Sequence, residues 1–285
     1  MPQKKNHKST KKRKVSQVRS QKKGGLARPR FRMPGWAWWL GGAGMIALCF
    51  WACYYFLFSP YGLRWKAIYG DVKYPNGYDI HGIDVSHHQG KIDWELLCNS
   101  ATIEDCPIRF VMIKATEGSN LVDPKFKYNF AKAHEYGFTC GAYHYFSTLS
   151  SAQDQADFYI QSVDLKTGDL PPVLDVEVKP KELSKREFKQ VVLEWLRLVE
   201  AHYGVKPILY TYHRFKLDYL DDAVFDQYPY WIAHYYVDSV QYQGQWKFWQ
   251  HTDAGHLPGI KGEVDFNVFN GSFAELRQLT IQKND

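Results

Sequence analysis

The chain has 285 residues, of which 45% are hydrophobic and 23% charged, and its formal net charge at pH 7 is +6. This apolar content excludes a wholly disordered chain, and the length suits one large domain with short additional segments. The five cysteines form no CxxC pair and no Cys/His cluster with zinc-site spacing. The sequence therefore predicts neither a metal centre nor a cofactor.

The positive charge comes from an N-terminal tail. Residues 1–32 contain thirteen Lys or Arg and no Asp or Glu, whereas residues 33–285 carry 23 basic and 30 acidic residues. A segment of this composition cannot bury enough apolar surface to fold, so we predict that it is disordered. Basic tails also bind nucleic acids, but no aromatic residue interleaves this one before Phe31. We expect no nucleic-acid partner, because the membrane topology predicted next explains the charge.

Residues 33–58 contain no charged side chain. A run of this length can cross a hydrocarbon core of about 30 Å, and Trp and Tyr near its two ends are typical of membrane interfaces. Positive charge on the N-terminal side favours a cytoplasmic tail. The sequence therefore predicts a single-pass cell-membrane protein whose remaining residues are periplasmic or extracellular. The alternative, a cleaved signal peptide, is disfavoured because the run is long and no A-x-A-like site follows it.

Residues 59–78 form a linker, and residues 79–285 have the length of one domain. Short apolar runs predict eight strands, at 81–86, 108–115, 140–146, 172–178, 207–212, 230–235, 246–251 and 263–269. Helical patterns lie among the first five strands, at 124–137, 150–163 and 184–204. The predicted helix N-termini are capped by Ser150 with Gln153 and by Ser184 with Glu187, and Gly204 ends the last helix.

The order of these elements predicts the fold class. Alternating strands and helices are typical of a parallel sheet, but the three links after the fifth strand are too short for full crossover helices. The sequence predicts an α/β protein with an irregular (β/α) TIM-like barrel of eight strands, preceded by one transmembrane helix. In barrels of this kind the functional residues lie at the C-terminal ends of the strands.

The fourth predicted strand, "PPVLDVEV" at 171–178, places two acids in an apolar run. Residues two apart on a strand share a face, so Asp175 and Glu177 should project side by side, with Leu174, Val176 and Val178 packed on the other face. Burying an unpaired carboxylate costs several kcal/mol. The pair is therefore either part of a salt bridge or edge strand, or an acid pair whose pKa values are pushed apart for catalysis.

The other strands carry polar or aromatic residues near the same end. These are Asp84, Asp265, Lys114, Glu117, Tyr143, Tyr145, Tyr210, Trp231, Tyr235 and Trp249. Repulsion among the four aspartate and glutamate side chains at 84, 175, 177 and 265 should raise at least one pKa and keep a protonated acid at neutral pH. Aromatic rings stack on sugars, and carboxyl groups bind hydroxyls and donate protons. This combination indicates cleavage of glycosidic bonds.

The cysteines of the exported part lead to a separate prediction. Cys98 and Cys106 are eight residues apart around a polar connector, so in an oxidising compartment we expect a disulfide between them. Cys140 begins an apolar strand and should be a buried thiol. His144 alternates away from the tyrosines of its strand and is expected to be a core histidine with satisfied hydrogen bonds.

Several motifs together resemble a known family. They are "HGIDVSHHQGKIDW", "FVMIKATEG", "GAYHYF", "PPVLDVEV", "WIAHY", "KFWQHT" and "VDFNVF". Their order, over residues 79–273, resembles that in glycoside hydrolase family 25 lysozymes. The resemblance implies an incomplete barrel with eight strands and about five helices. It also implies muramidase activity, which cleaves the β-1,4 bond between N-acetylmuramic acid and N-acetylglucosamine in peptidoglycan.

Carried over by motif, the resemblance implies that Glu177 is the general acid and Asp175 its partner, with Asp84 and Asp265 completing an acidic floor. The residues implied to line the sugar cleft are Lys114, Tyr143, Tyr145, Tyr210, Trp231 and Trp249. Asp175 would act either as a nucleophile or by orienting the substrate's 2-acetamido group, and the DxE spacing favours the second role. The alternatives are an inactive peptidoglycan-binding module, which could dispense with the acids, and an N-acetylglucosaminidase.

Overall fold

The structure is a computed structural model that describes residues 35–57 and 74–282. The chain divides into two compact units between Trp65 and Lys66. The predicted disordered tail, at 1–32, and residues 59–73 of the predicted linker lie outside the described residues. The last residues of that linker, at 74–78, belong to the second unit, where Tyr74 stacks on Phe266 and Tyr78 packs edge-on against Trp249.

The first unit contains one α-helix, α1, Gly35–Leu57. It lies where the sequence predicts a membrane span, and side chains such as Leu40, Ile46 and Phe50 are exposed on it. Among the helices within 35–57 and 74–282, none is both long enough and apolar enough to span a membrane. The transmembrane helix predicted at 33–58 is therefore not found among the described residues.

The second unit is built on ten strands. In chain order they are β1 His81–Val85, β2 Thr102–Ile103, β3 Cys106–Glu117, β4 Leu121–Val122, β5 Thr139–Tyr145, β6 Val173–Asp175, β7 Ile208–Tyr212, β8 Tyr230–Ala233, β9 Phe248–Gly255 and β10 Val264–Phe269. Strands β1, β3, β5, β6, β7, β8 and β9 pair in parallel in that order, and β10 closes the barrel antiparallel to both β9 and β1. The eight-stranded barrel is as predicted, while β2 and β4 are short additions that pair with β3.

Within residues 74–282 this unit contains six α-helices. They are α2 Trp94–Ser100, α3 Phe126–Glu135, α4 Ala152–Ser162, α5 Lys185–Tyr203, α6 His213–Tyr219 and α7 Phe273–Leu279. Helices α2 to α6 each connect two parallel strands, whereas β8, β9 and β10 follow one another without a helix. The link after β7, predicted to be too short for a full crossover helix, contains the seven-residue helix α6. The seven residues of α6, followed by a 3-10 turn at Ala223–Phe225, are sufficient to bring the chain from the end of β7 back to the start of the parallel strand β8.

Local signals set the bounds of the longer helices. Ser184 and Glu187 form the predicted capping box at the start of α5, and Gly204 ends that helix in the left-handed conformation, at φ 69°. The cap of α4 was predicted one residue early: Ser151, not Ser150, accepts a hydrogen bond from the Asp154 amide. Both short polar side chains precede the helix, so the sequence alone did not separate them.

The alternation of side chains along the strands separates the barrel interior from the layer beneath the helices. On β6, Val173 packs inside with residues such as Tyr210 and Trp231, while Leu174 and the following Val176 are buried in the outer layer. This is the predicted division for the 171–178 segment, except that Val178 lies beyond the strand and is half exposed. The inward alternation therefore points Asp175 into the mouth of the barrel.

Candidate active site

Three of the predicted acids lie on strands: Asp84 near the C-terminal end of β1, Asp175 at the C-terminal end of β6, and Asp265 near the start of antiparallel β10. Asp84 in β1 is paired in register with Asp265 in β10. Asp175 ends β6, opposite Tyr145 of β5 and Tyr210 of β7. Because the parallel strands end, and antiparallel β10 begins, at the same edge of the barrel, these side chains meet at one opening, which we call the acidic mouth.

Asp84 is at the centre of a buried hydrogen-bond network. Its Oδ2 accepts hydrogen bonds from Gln250 Nε2 at 2.8 Å and from Asn267 Nδ2 at 2.7 Å. The pKa of Asp84 is raised to about 6. Burial is the main cause and the charge of Glu177 adds to it, while the hydrogen bonds with Asn267, Gln250 and Asp265 oppose the shift. The acid is thus held in place and titrates closer to neutrality than an exposed aspartate.

Asp175 is the more strongly perturbed acid. It is buried, and its Oδ1 has no hydrogen-bond partner among the described residues. Burial and the neighbouring charge of Glu177 raise the pKa of Asp175 well above its usual range, while Lys114 opposes the shift. Glu177 follows the end of β6 and is partly exposed. The pair therefore holds a proton at a pH where an ordinary aspartate would be ionised.

Aromatic side chains form one wall of the acidic mouth and are connected to Asp84. The Tyr210 and Tyr235 hydroxyls donate to Gln250 Oε1 at 2.7 and 2.6 Å, and Trp231 Nε1 donates to Asn267 Oδ1 at 2.8 Å. Since Gln250 and Asn267 both bind Asp84, the orientation of these rings is coupled to that acid.

The rings themselves pack against one another. The Tyr210 and Trp231 centroids are 4.5 Å apart, and Tyr143 meets Trp231 edge-on at 6.5 Å. Burial, followed by the charges of Asp84 and Asp175, raises the pKa of Tyr143 well above its usual range. The aromatic wall and the acids therefore share one small volume.

Lys114 and Glu117, two of the residues singled out in the sequence, form an ion pair at the mouth. Lys114 Nζ lies 2.7 Å from Glu117 Oε2 and 4.9 Å from the centroid of the Tyr145 ring. Burial and the charges of Glu177 and Asp175 raise the pKa of Tyr145 to about 12. Tyr145 thus stays a neutral hydrogen-bond donor and a ring surface throughout the physiological pH range.

Trp249 does not join the acidic mouth, although the sequence placed it there. Its indole packs with Tyr230, Ile232 and Val268 on the outer face of the last strands, and its Nε1 donates to the His234 carbonyl at 2.8 Å. The inward position of β9 is Gln250, one residue further along. A shift of one residue exchanges the two faces of a strand, which explains the error.

The predicted disulfide is absent, because both Cys98 and Cys106 are free thiols. Cys98 lies in α2 and its Sγ is 3.6 Å from the Tyr136 carbonyl oxygen. Cys106 begins β3 opposite Ile103. The two thiols are held by different elements, so their closeness in sequence did not bring them together.

Two expectations about buried residues are confirmed. Cys140 is a buried free thiol. His144 is fully buried, with Thr116 Oγ1 at 2.8 Å from Nδ1 and Gln155 Oε1 at 3.1 Å from Nε2. Burial lowers its pKa to about 4, so it is a neutral core residue.

Some residues around the mouth were missed or only noted in the sequence. Gln250 and Asn267 are uncharged amides on buried strands, and that unusual placement was the only available signal. His87 follows β1, and its Nδ1 lies 2.8 Å from Oδ2 of buried Asp123, which also accepts from the His87 amide at 2.9 Å. Within the described residues, no group of three or more His, Cys, Asp or Glu could hold a metal ion.

A barrel whose mouth combines carboxyl groups with aromatic rings defines a carbohydrate-cleaving enzyme. The sequence profile of Glycosyl hydrolases family 25 matches residues 83–260. The chain therefore belongs to glycosyl hydrolases family 25, and it is a glycoside hydrolase.

Individual relatives agree with this assignment. The chain is 47% identical over 213 residues to "Uncharacterized protein YegX" of Escherichia coli (strain K12), covering 72% of this chain and 75% of that protein. It is 32% identical over 220 residues to "Lysozyme M1" of Streptomyces globisporus, covering 70% and 71%.

Solved structures share the fold. The family 25 glycosyl hydrolase from Bacillus anthracis has a TM-score of 0.65 and 33% identity, covering 73% of this chain and 97% of that one. The bacterial lysozyme from Streptomyces coelicolor has a TM-score of 0.64 and 31% identity, covering 70% and 96%.

Proposed function

We propose that the protein is a peptidoglycan hydrolase of the muramidase type, cleaving the β-1,4 bond between N-acetylmuramic acid and N-acetylglucosamine. The observation that carries the proposal is the buried Asp175, whose Oδ1 has no described partner, beside Glu177 at the acidic mouth. An arrangement so costly to bury is expected where a substrate group completes it. The lysozyme names of the relatives support peptidoglycan as the substrate.

In this proposal Glu177 protonates the glycosidic oxygen as the bond to the sugar C1 breaks. Glu177 lies beyond the strand end and is partly exposed, so it is nearer to an incoming substrate than buried Asp175. Asp84 and Asp265 hold the floor of the site. The aromatic wall and the pair of Lys114 and Glu117 contact the sugars.

Two roles for Asp175 are compatible with its position. It can attack C1 and form a glycosyl ester, or it can accept the N–H of the substrate's 2-acetamido group while that group's carbonyl oxygen attacks C1. We favour the second, because the DxE spacing of Asp175 and Glu177 resembles that of substrate-assisted hydrolases. In both routes a water molecule then attacks C1 and hydrolyses the intermediate, and it gives one proton to Glu177.

The function is tested by incubating the full chain with purified peptidoglycan and measuring the mass of the new reducing ends. We expect N-acetylmuramic acid at those ends. N-acetylglucosamine ends would replace the proposal with a glucosaminidase, and intact strands that nevertheless bind the protein would replace it with a binding module.

We also propose that the enzyme works outside the cytoplasm, associated with the membrane through residues 33–58. The support is the charge-free segment preceded by thirteen basic residues and the location of peptidoglycan outside the cytoplasmic membrane.

A further inference from the structure

A second concave surface lies beside the acidic mouth. It has a volume of about 840 Å³ and runs between the segment after β1, the start of α2, one face of α3 and the loop from β9 to β10. This size is in the range of pockets that hold small ligands. We call it the side groove.

The side groove is built as a defined shape. Ile92, Trp94 and Ile260 form a buried apolar floor. The Asp93 amide donates to the Gly259 carbonyl at 2.8 Å, which joins the two sides. Gly259 has φ +90°, and a Cβ there would lie 2.5 Å from the Asp93 carbonyl oxygen, so only glycine allows this approach.

One wall carries a stripe of aromatic and basic side chains. Tyr128, Lys132 and Tyr136 are spaced four residues apart along α3 and just beyond its end, so they lie on one face. Lys132 is paired with Glu135 at 2.7 Å. The stripe offers two rings against which a flat or apolar group can pack.

The side groove carries charged side chains of both signs. Glu95, Glu135 and Asp93 lie close enough to Tyr136 to raise its pKa, together with the larger effect of burial. Lys91 and Lys261 also line the groove, and neither is ion-paired with a carboxylate among the described residues. The part of the groove around Tyr136, which we call the acidic end, therefore carries these carboxylates together with Lys132. Lys91 and Lys261 add positive charge that no described carboxylate neutralises.

The side groove is connected to the acidic mouth. It includes Gln89, whose Nε2 donates to the Glu263 carbonyl at 3.2 Å, two residues before Asp265. It also includes His88, whose ring centroid lies 4.1 Å from that of His87, with the two rings tilted by 35°. This end of the groove therefore adjoins the end of β1 and the start of β10, the strands that carry Asp84 and Asp265.

We propose that the side groove binds the peptide that a glycan strand carries, with peptide carboxylates at Lys91 and Lys261 and a free amine at the acidic end. The proposal rests on the proposed function for the identity of the glycan. Charge complementarity selects this occupant, because a neutral sugar would leave the two lysines without a partner.

The binding test uses the tripeptide Ala-Glu-Lys and its fully amidated form, which lacks carboxylates. Binding of each labelled peptide to the full chain is measured by fluorescence anisotropy. We expect the free acid to bind about tenfold more tightly, a preference that the double variant Lys91→Glu, Lys261→Glu abolishes. The matched control is Lys127→Glu, an exposed lysine of α3 outside the groove, which should keep the preference. Equal binding of both peptides, or equal loss with Lys127→Glu, would overturn the proposal.

The hydrolysis test compares peptidoglycan with glycan strands from which an amidase has removed the peptides. The double variant should raise KM about tenfold for peptide-bearing strands and leave both kcat and KM unchanged for bare strands. An equal effect on both substrates would contradict the groove's role. Wild-type protein that cuts neither substrate would refute the proposed function instead, while the tripeptide measurement would still decide the groove.

Discussion

Asp84 is a buried acid whose ionisation opposes folding. Its pKa is raised from 3.8 to about 6 in the folded protein, chiefly by burial. Below pH 3.8 the group is protonated in both states. As the pH rises, Asp84 ionises first in the unfolded chain. The free energy of unfolding therefore falls, by about 3 kcal/mol in total, until Asp84 also ionises in the folded protein near pH 6.

Asp84→Asn should therefore stabilise the protein more at pH 7.5 than at pH 3.5, by up to about 3 kcal/mol. The asparagine Oδ1 can still accept from Gln250 and Asn267, so the network keeps its geometry. Urea denaturation of the full chain at both pH values measures the difference. Asp164→Asn, at a side chain that is 91% exposed, is the control and should show no such pH dependence. The same change for Asp84→Asn at both pH values would contradict the account.

At the scale of the strand, substitutions in β8 and β9 test whether Trp231 or Trp249 belongs to the site. Trp231→Phe removes the bond to Asn267 and with it one support of Asp84, so we expect kcat/KM on peptidoglycan to fall about tenfold or more. Trp249→Phe removes a bond on the outer face and should lower stability by about 1 kcal/mol with kcat/KM unchanged. Activity assays with parallel denaturation curves distinguish the two. A larger catalytic loss for Trp249→Phe would restore the original prediction from the sequence.

The free thiols give a second test at this scale. Among the three cysteines of the second unit, alkylation of the unfolded, unreduced protein should label Cys98, Cys106 and Cys140 alike, since the structure has all three as thiols. Peptide mass analysis identifies the labelled positions. If only Cys140 were labelled, the two elements that hold Cys98 and Cys106 would have to approach more closely than they do here.

Much of the fold and site followed from the sequence because period-two alternation, capping residues and strand–helix order are local signals. The inward direction of Asp175 and the capping box of Ser184 are examples. Trp249 was misplaced because a short aromatic strand does not reveal which of its faces is inward. Gln250 was missed because its role depends on Asp84, 166 residues away in the chain. Such contacts depend on barrel closure, which no local pattern encodes.

For the whole molecule, the basic tail and the charge-free segment predict where the enzyme works. A reporter that is active only outside the cytoplasm, fused after Asp285, should be active. A second reporter that is active only in the cytoplasm should be inactive at the same position. An inactive first reporter together with an active second one would place the C-terminus in the cytoplasm, away from peptidoglycan, and would refute the proposed location.

The central claim is that the acidic mouth cleaves a glycosidic bond with Glu177 as the proton donor. Glu177→Gln keeps the size of the side chain but removes its proton, so kcat on peptidoglycan should fall by roughly 10²–10⁴-fold with little change in binding. Asp175→Asn should also be severe, and the two losses should not add because both residues act on one transition state.

The decisive measurement is kcat for both variants on a glycoside whose leaving group needs no protonation. Glu177→Gln should recover much of its activity on that substrate, whereas Asp175→Asn should not. Equal recovery by both variants, or near-normal activity of Glu177→Gln on peptidoglycan, would contradict the assignment of the acid.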